Sequence, residues 1–139
     1  MIAPFQENEP ETPPPPPRPE IRADVRAFFA PAGPLASTTD FGYEPRPQQA
    51  EMANLVAAAI EDGTHLAVEA GTGVGKSLAY LVPAIKAALD LNIQVVVSTY
   101  TISLQEQLMK KDLPLIQRII GKPFRAVLAK GRSNYLCLR

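Results

Sequence analysis

With 139 residues, 46% of them apolar and 20% charged, the chain has ordinary globular composition and the length of about one domain, which excludes wholesale disorder and a collagen-like repeat. The formal net charge is zero, yet residues 1–100 hold six Lys or Arg against twelve Asp or Glu, and residues 101–139 hold eight against two, so the two parts differ as −6 and +6. No apolar run approaches the roughly 18 residues of a membrane span, the acidic opening MIAPFQENEPE does not fit a secretory signal, and the single Cys137 cannot form an intrachain disulfide, so a cytoplasmic protein is expected.

Residues 1–20 carry Pro13 to Pro17 among acids and few large apolar side chains, too little to offset the entropy of ordering, and a disordered Pro-rich tail is expected. Ile21, Val25, Phe28 and Phe29 then recur at helical spacing until Pro31 and Gly33-Pro34, which predicts a short helix docked by one face. Met52, Leu55, Val56, Ala59 and Ile60 predict a second helix, with Pro47 in its first turn and Gly63 at its C-terminal cap. His65 to Glu69 reads as a strand. The next helix starts at Lys76, turns Leu78, Leu81, Val82 and Ile85 inward, and contains Pro83, which should bend or perturb it. Ile93 to Ser98 is a β-branched run without alternation, as for a strand covered on both faces. Ser103 to about Lys110 is a helix; Asp112 is read as the cap of another, with Pro114 in its first turn and Gly121 past its end; Phe124 to Ala129 is a third strand. Strands alternating with helices predict an α/β architecture with a mainly parallel sheet.

Between the first strand and the helix at Lys76 lies EAGTGVGKS. A glycine-rich turn that joins a strand to a helix gathers backbone N–H groups and the positive end of the helix dipole around one small volume, which suits a phosphate chain. Gly71, Thr72, Gly73, Val74 and Gly75 would wrap the phosphates, Lys76 would reach the β- and γ-phosphates as a point charge, and the Ser77 hydroxyl would hold Mg²⁺. Glycine is needed for close approach and positive φ. The strict pattern G-x-x-x-x-G-K-[ST] has Gly where this chain has Ala70, so the match is to a relaxed form in the right strand–loop–helix setting. A glycine-rich turn with no ligand is the plainer alternative.

Taken in order, YEPRPQQAEM (43–52), HLAVEAGTGVGKSLAYLVPA (65–84), VVVSTYTISLQEQLMKKDLPL (95–115) and KGRSNYLCLR (130–139) resemble the amino-terminal part of the DinG/XPD-type iron-sulfur DNA helicases of superfamily 2, on the bacterial DinG side. The resemblance implies part of a RecA-like P-loop NTPase domain and an ATP-dependent enzyme that moves 5′ to 3′ on single-stranded DNA in repair or replication. It implies that Gln49 reads adenine, for which a carboxamide is chemically suited, with Arg46 and Tyr43 beside the base or its phosphates. Read without the resemblance, Gln49 is an exposed residue of a helix's first turn. The resemblance also implies that Thr99, Thr101 and Gln105 contact single-stranded DNA, while capping and turn chemistry explain the same hydroxyls locally. Cys137 matches the first of four cysteines that hold a [4Fe-4S] cluster; the other three are absent, so no cluster is expected on this chain alone. His65 has no companion ligand and reads as structural, and Glu69 as a local hydrogen-bonding residue. The basic residues Lys110, Lys111, Arg118, Lys122, Arg125, Lys130, Arg132 and Arg139 suit a polyanion or, more plainly, a solvated helix face.

The expected organisation is a tail over 1–20, a helix and loop over 21–46, and the first part of a motor domain over 47–139. The segment that completes Mg²⁺ coordination and the arginine fingers of a second motor domain are not in the chain, so a fragment of a longer product is expected, inactive alone and prone to aggregate through an incomplete sheet. A different P-loop NTPase and a non-catalytic nucleotide- or DNA-binding adaptor are the alternatives.

Overall fold

Apolar spacing decides where the helices fall. The computed structural model describes residues 20–38, 43–131 and 134–135; all of the tail expected over 1–20 except Glu20, and Cys137, lie outside them. Helix α1 (Ile21–Phe29) buries Ile21, Val25, Phe28 and Phe29, the four residues that predicted it, and the two phenyl rings meet edge to face at 5.3 Å. Its N-terminal neighbour Glu20 makes no side-chain cap. The cap comes from another helix, where Glu61 Oε1 accepts the Arg22 N–H at 2.7 Å. After α1 the chain folds tightly back: a Cβ on Gly33 would collide with the Ala27 carbonyl oxygen, and Leu35 is buried.

Helix α2 (Pro47–Asp62) starts on Pro47 and ends where Gly63, at φ 62°, donates back to Ala59 and Ile60. Its fully buried stripe is Gln49, Ala53 and Ala57, four residues apart, while Met52 and Ile60 pack at the edge of the core and Leu55 is exposed. Helix α3 (Lys76–Leu91) runs unbroken through Pro83, which is buried among Leu81, Val82, Ala84 and Ile85. Ala53 and Ala57 on α2 and Ala79 on α3 are fully buried small residues of the core that these two packed helices share. Helix α1 packs across both.

One expectation is corrected. The predicted break at Asp112 does not occur: α4 (Ile102–Gln107), a π-helical turn (Leu108–Asp112) and α5 (Leu113–Ile120) form one continuous run. Asp112 is itself helical and makes no cap bond; its carboxylate accepts from Gln107 Nε2 at 3.1 Å. The wider π turn accommodates Pro114, which has no N–H to give and whose ring would crowd the carbonyl four residues back. Residue Ile116 and Leu108 anchor this run in the core.

The expected sheet is not formed by the described residues. Among the described residues there is no strand: 65–70, 93–99 and 123–130 are irregular. A strand is held by the ladder to its neighbour, and these three segments form none with one another. Much of their apolar surface stays in solvent, with Val96 at 91% exposure and Val127 at 74%, while Phe124 packs against the core. The described fold is therefore helical, with its core between α1, α2 and α3. No helix among the described residues is long and apolar enough to cross a membrane.

Candidate nucleotide site

The site forms where α2 and α3 both begin. Gly73 (φ 80°) and Gly75 (φ 86°) adopt left-handed backbone that L side chains rarely take, and Gly75 is the residue on which α3 starts. Space around Gly71 and Gly73 is open. Gly75 is constrained twice, because a Cβ there would also collide with Gln49 Nε2 and stand 3.0 Å from its Cδ. The expectation of positive φ thus holds at two loop glycines and is not needed at Gly71.

Gln49 is not the exposed first-turn residue that sequence alone favours. Only 2% of it is exposed, and both ends of its amide are used: Nε2 donates to the Gly75 carbonyl at 2.9 Å, and Oε1 accepts from the Tyr43 hydroxyl at 2.7 Å. Arg46 donates to the Gly73 carbonyl. The entry to α2 is therefore tied to the loop at both of its left-handed glycines. Burial pushes the Tyr43 phenol above its ordinary pKa, against a lowering by Arg46.

Lys76 folds back over the loop. Its Nζ donates to the carbonyls of Ala70 and Gly71, both at 2.8 Å, and the side chain remains exposed to solvent. Ser77 is half-buried in the first turn of α3, beside Tyr80, whose phenol is pushed up by burial and lowered in part by the Ser77 side chain.

Next to Gln49 lies a cleft of about 220 Å³. Leu35 and Thr38 line it from the turn after α1, Tyr43, Glu44, Arg46 and Gln49 from the entry to α2, Gly75 and Leu78 from the loop and α3, and Leu115 from α5. Whole-ligand pockets measure about 300–1,000 Å³, so this one has room for a flat ring system rather than an entire nucleotide. Leu35, Thr38, Glu44, Leu78 and Leu115 were not identified as site residues from sequence; the leucines carry no signal that separates a site wall from core.

Arg46, Gln49, Tyr43, the loop and Lys76 are brought together. The other candidates are not part of this cluster. Thr101 caps α4, its Oγ1 accepting from the Leu104 N–H at 3.3 Å, and the Thr99 hydroxyl makes a long contact of 3.5 Å to the Thr101 carbonyl. The Oε1 atom of Gln105 is buried without a hydrogen-bond partner. Among the described residues no group of three or more His, Cys, Asp or Glu side chains is placed to hold a metal ion. His65 and Glu69 lie exposed on the segment before the loop.

Residues 46–134 match the DEAD/DEAH box helicase family. The ATP-dependent DNA helicase YoaA of Escherichia coli (strain K12) is 47% identical over 110 residues, 79% of this chain and 16% of that protein. The ATP-dependent helicase DinG of Mycobacterium tuberculosis (strain ATCC 25177 / H37Ra) is 58% identical over 95 residues, 65% of this chain and 14% of that protein. The 3'-5' exonuclease DinG of Bacillus subtilis (strain 168) is 42% identical over 97 residues, 70% of this chain and 10% of that protein. The chain spans between 10% and 16% of the length of these three curated relatives.

Proposed function

The chain belongs to the DEAD/DEAH box helicase family, and from that premise we propose that it is the nucleotide-binding first part of an ATP-dependent DNA helicase. Membership implies the P-loop NTPase fold. The observation that carries the reading is the bond from Gln49 Nε2 to the Gly75 carbonyl, which joins a candidate base reader to the phosphate loop across 26 residues of sequence. Adenine enters the cleft beside Gln49, whose amide keeps a second N–H and a second oxygen lone pair beyond its bonds to Gly75 and Tyr43. The triphosphate follows the loop over Gly71, Thr72, Gly73, Val74 and Gly75. Lys76 then exchanges two neutral carbonyl acceptors for anionic phosphate oxygens, adding attraction between opposite charges to bonds that the ammonium already strengthens. Ser77 offers its hydroxyl to Mg²⁺, an oxygen donor of the kind that ion prefers. Mg²⁺ supplies charge neutralisation on the phosphates.

The finer readings belong to the intact protein. The three irregular apolar segments become strands of a mainly parallel sheet when the rest of the motor supplies neighbours; their exposure supports this. Thr99, Thr101 and Gln105 face single-stranded DNA. In support, the Thr101 oxygen acts as acceptor in its cap, so its proton remains free for a phosphate oxygen. Cys137 is assigned to the iron-sulfur cluster on the resemblance alone, and motion 5′ to 3′ has the same basis.

Lys76→Ala in the intact protein is the test. It should abolish ATP hydrolysis stimulated by single-stranded DNA while leaving the helical circular-dichroism signal unchanged. Hydrolysis that survives the substitution refutes the assignment.

A further inference from the structure

Helix α1 lies before every motif that the sequence offers, yet it is bonded to both helices that carry the nucleotide site. Its N-terminal turn meets the distal end of α2: the Arg22 backbone N–H reaches Glu61 Oε1 at 2.7 Å, the Arg22 guanidinium pairs with the other Glu61 oxygen, and its Nη2 lies 3.2 Å from Asp62 Oδ1. Asp24, two residues on in the same first turn, meets α3, its Oδ2 2.5 Å from Lys86 Nζ, which Asp90 also approaches at 3.6 Å. Lys86 and Glu61 are mostly buried, with side-chain exposures of 15% and 16%, whereas their partners Asp24 and Arg22 are exposed to 52% and 42%, so each pair is screened by solvent from one side only and acts mainly by fixing geometry.

The geometry has two ends. Glu61 lies twelve residues beyond Gln49 and Lys86 ten beyond Lys76, about 18 and 15 Å along their helices. The proximal ends of α2 and α3 are joined by Gln49 and Gly75, and the distal ends by α1. The chain leaving α1 then returns to the proximal end, where Leu35 and Thr38 line the cleft. Two helices pinned at both ends cannot slide past one another without breaking a bond at one of them. A displacement of about 1 Å at a binding group is enough to matter.

We infer that Asp24 and Arg22 are positioning residues for adenine recognition, acting through Lys86 and Glu61 to hold the Gln49 helix in register with the phosphate-loop helix. This rests on the adenine-reading role of Gln49. It separates two effects: loss of the distal bonds changes how the base is read, whereas phosphate capture by Lys76 continues.

The test uses the intact protein with ATP and GTP as alternative substrates. Asp24→Asn should raise KM for ATP about fivefold, the lower end of coupling between linked sites, with kcat changed less than about twofold and KM for GTP unaltered. Asp24→Glu keeps the charge and should restore the ATP value, and Glu61→Gln should reproduce the Asp24→Asn pattern from the other helix. A wild-type protein that treats ATP and GTP alike overturns the adenine reading itself. A wild-type protein that prefers ATP, combined with an Asp24→Asn variant whose ATP-to-GTP preference is unchanged, overturns this inference alone, even if the variant melts at a lower temperature.

Discussion

Gly75→Ala isolates the contact on which the nucleotide site depends. Placing an L residue at φ 86° costs about 1–2 kcal/mol. The new Cβ also collides with Gln49 Nε2 and drives it from the Gly75 carbonyl, now 2.9 Å away. Because Gln49 is 2% exposed, no water replaces the lost bond, and an unpaired buried amide costs about 1–3 kcal/mol. The expected total is about 2–5 kcal/mol, against a whole-domain stability of about 5–15 kcal/mol. Gly73→Ala is the control: its φ of 80° brings the same backbone strain, but nothing lies within 4 Å of the added Cβ. Hydrogen exchange of the α2 and α3 amides in the intact protein reads local opening free energies for each variant. The excess of Gly75→Ala over Gly73→Ala is the Gln49 share, and adding Gln49→Ala to Gly75→Ala should cost less than Gln49→Ala alone. Equal losses at the two glycines, with additive behaviour in the double variant, would refute the contact.

Tyr43→Phe keeps the ring and removes the hydroxyl that bonds Gln49 Oε1; ATP affinity should fall by about 1 kcal/mol, roughly fivefold, when measured by calorimetric titration. Burial raises the Glu61 carboxyl, but the Arg22 backbone and guanidinium outweigh it and hold the group below its ordinary 4.5. A carboxyl lowered by folding contributes stability that is present above the unfolded pKa and lost as pH falls through the folded one, so Glu61→Gln should flatten the loss of melting temperature that the wild type shows below about pH 4.5. Val96→Lys should have opposite effects in two settings: less light scattering by the 139-residue chain, where Val96 is 91% exposed, and lower stability of the intact protein, where the proposed strand is buried.

The helices were legible because each carries its own evidence. Pro47 and Gly63 mark the ends of α2 by their backbone chemistry, and Ile21, Val25, Phe28 and Phe29 repeat with the period of one helix face. A strand differs, since β-branched residues in IQVVVS state a preference that only a neighbouring strand can satisfy, and none is formed by the described residues. The merged helix at 102–120 escaped because Asp112 before Pro114 has the composition of a helix start, while the continuation depends on a π turn that leaves no mark in composition. The left-handed glycine loop on which α3 starts was legible by spacing. What Gln49 touches was not, because its bond to Gly75 joins residues 26 apart.

The stripe of small residues on α2 links these observations. Ala53 and Ala57 add little apolar area of their own, so their burial is better explained by what it permits than by what it stabilises directly: two helix axes close enough for a glutamine one turn earlier to reach the first carbonyl of α3. A larger side chain at either alanine would push α3 outward and take the phosphate loop with it. Close packing of α2 on α3, the left-handed turn at Gly75 and the placement of the Gln49 amide are therefore one geometric condition. Because α1 pairs with the far ends of the same two helices, the cleft beside Gln49 is shaped from both sides of the helix pair, and under the proposed adenine reading the segment before the first motif acts on the site together with the loop.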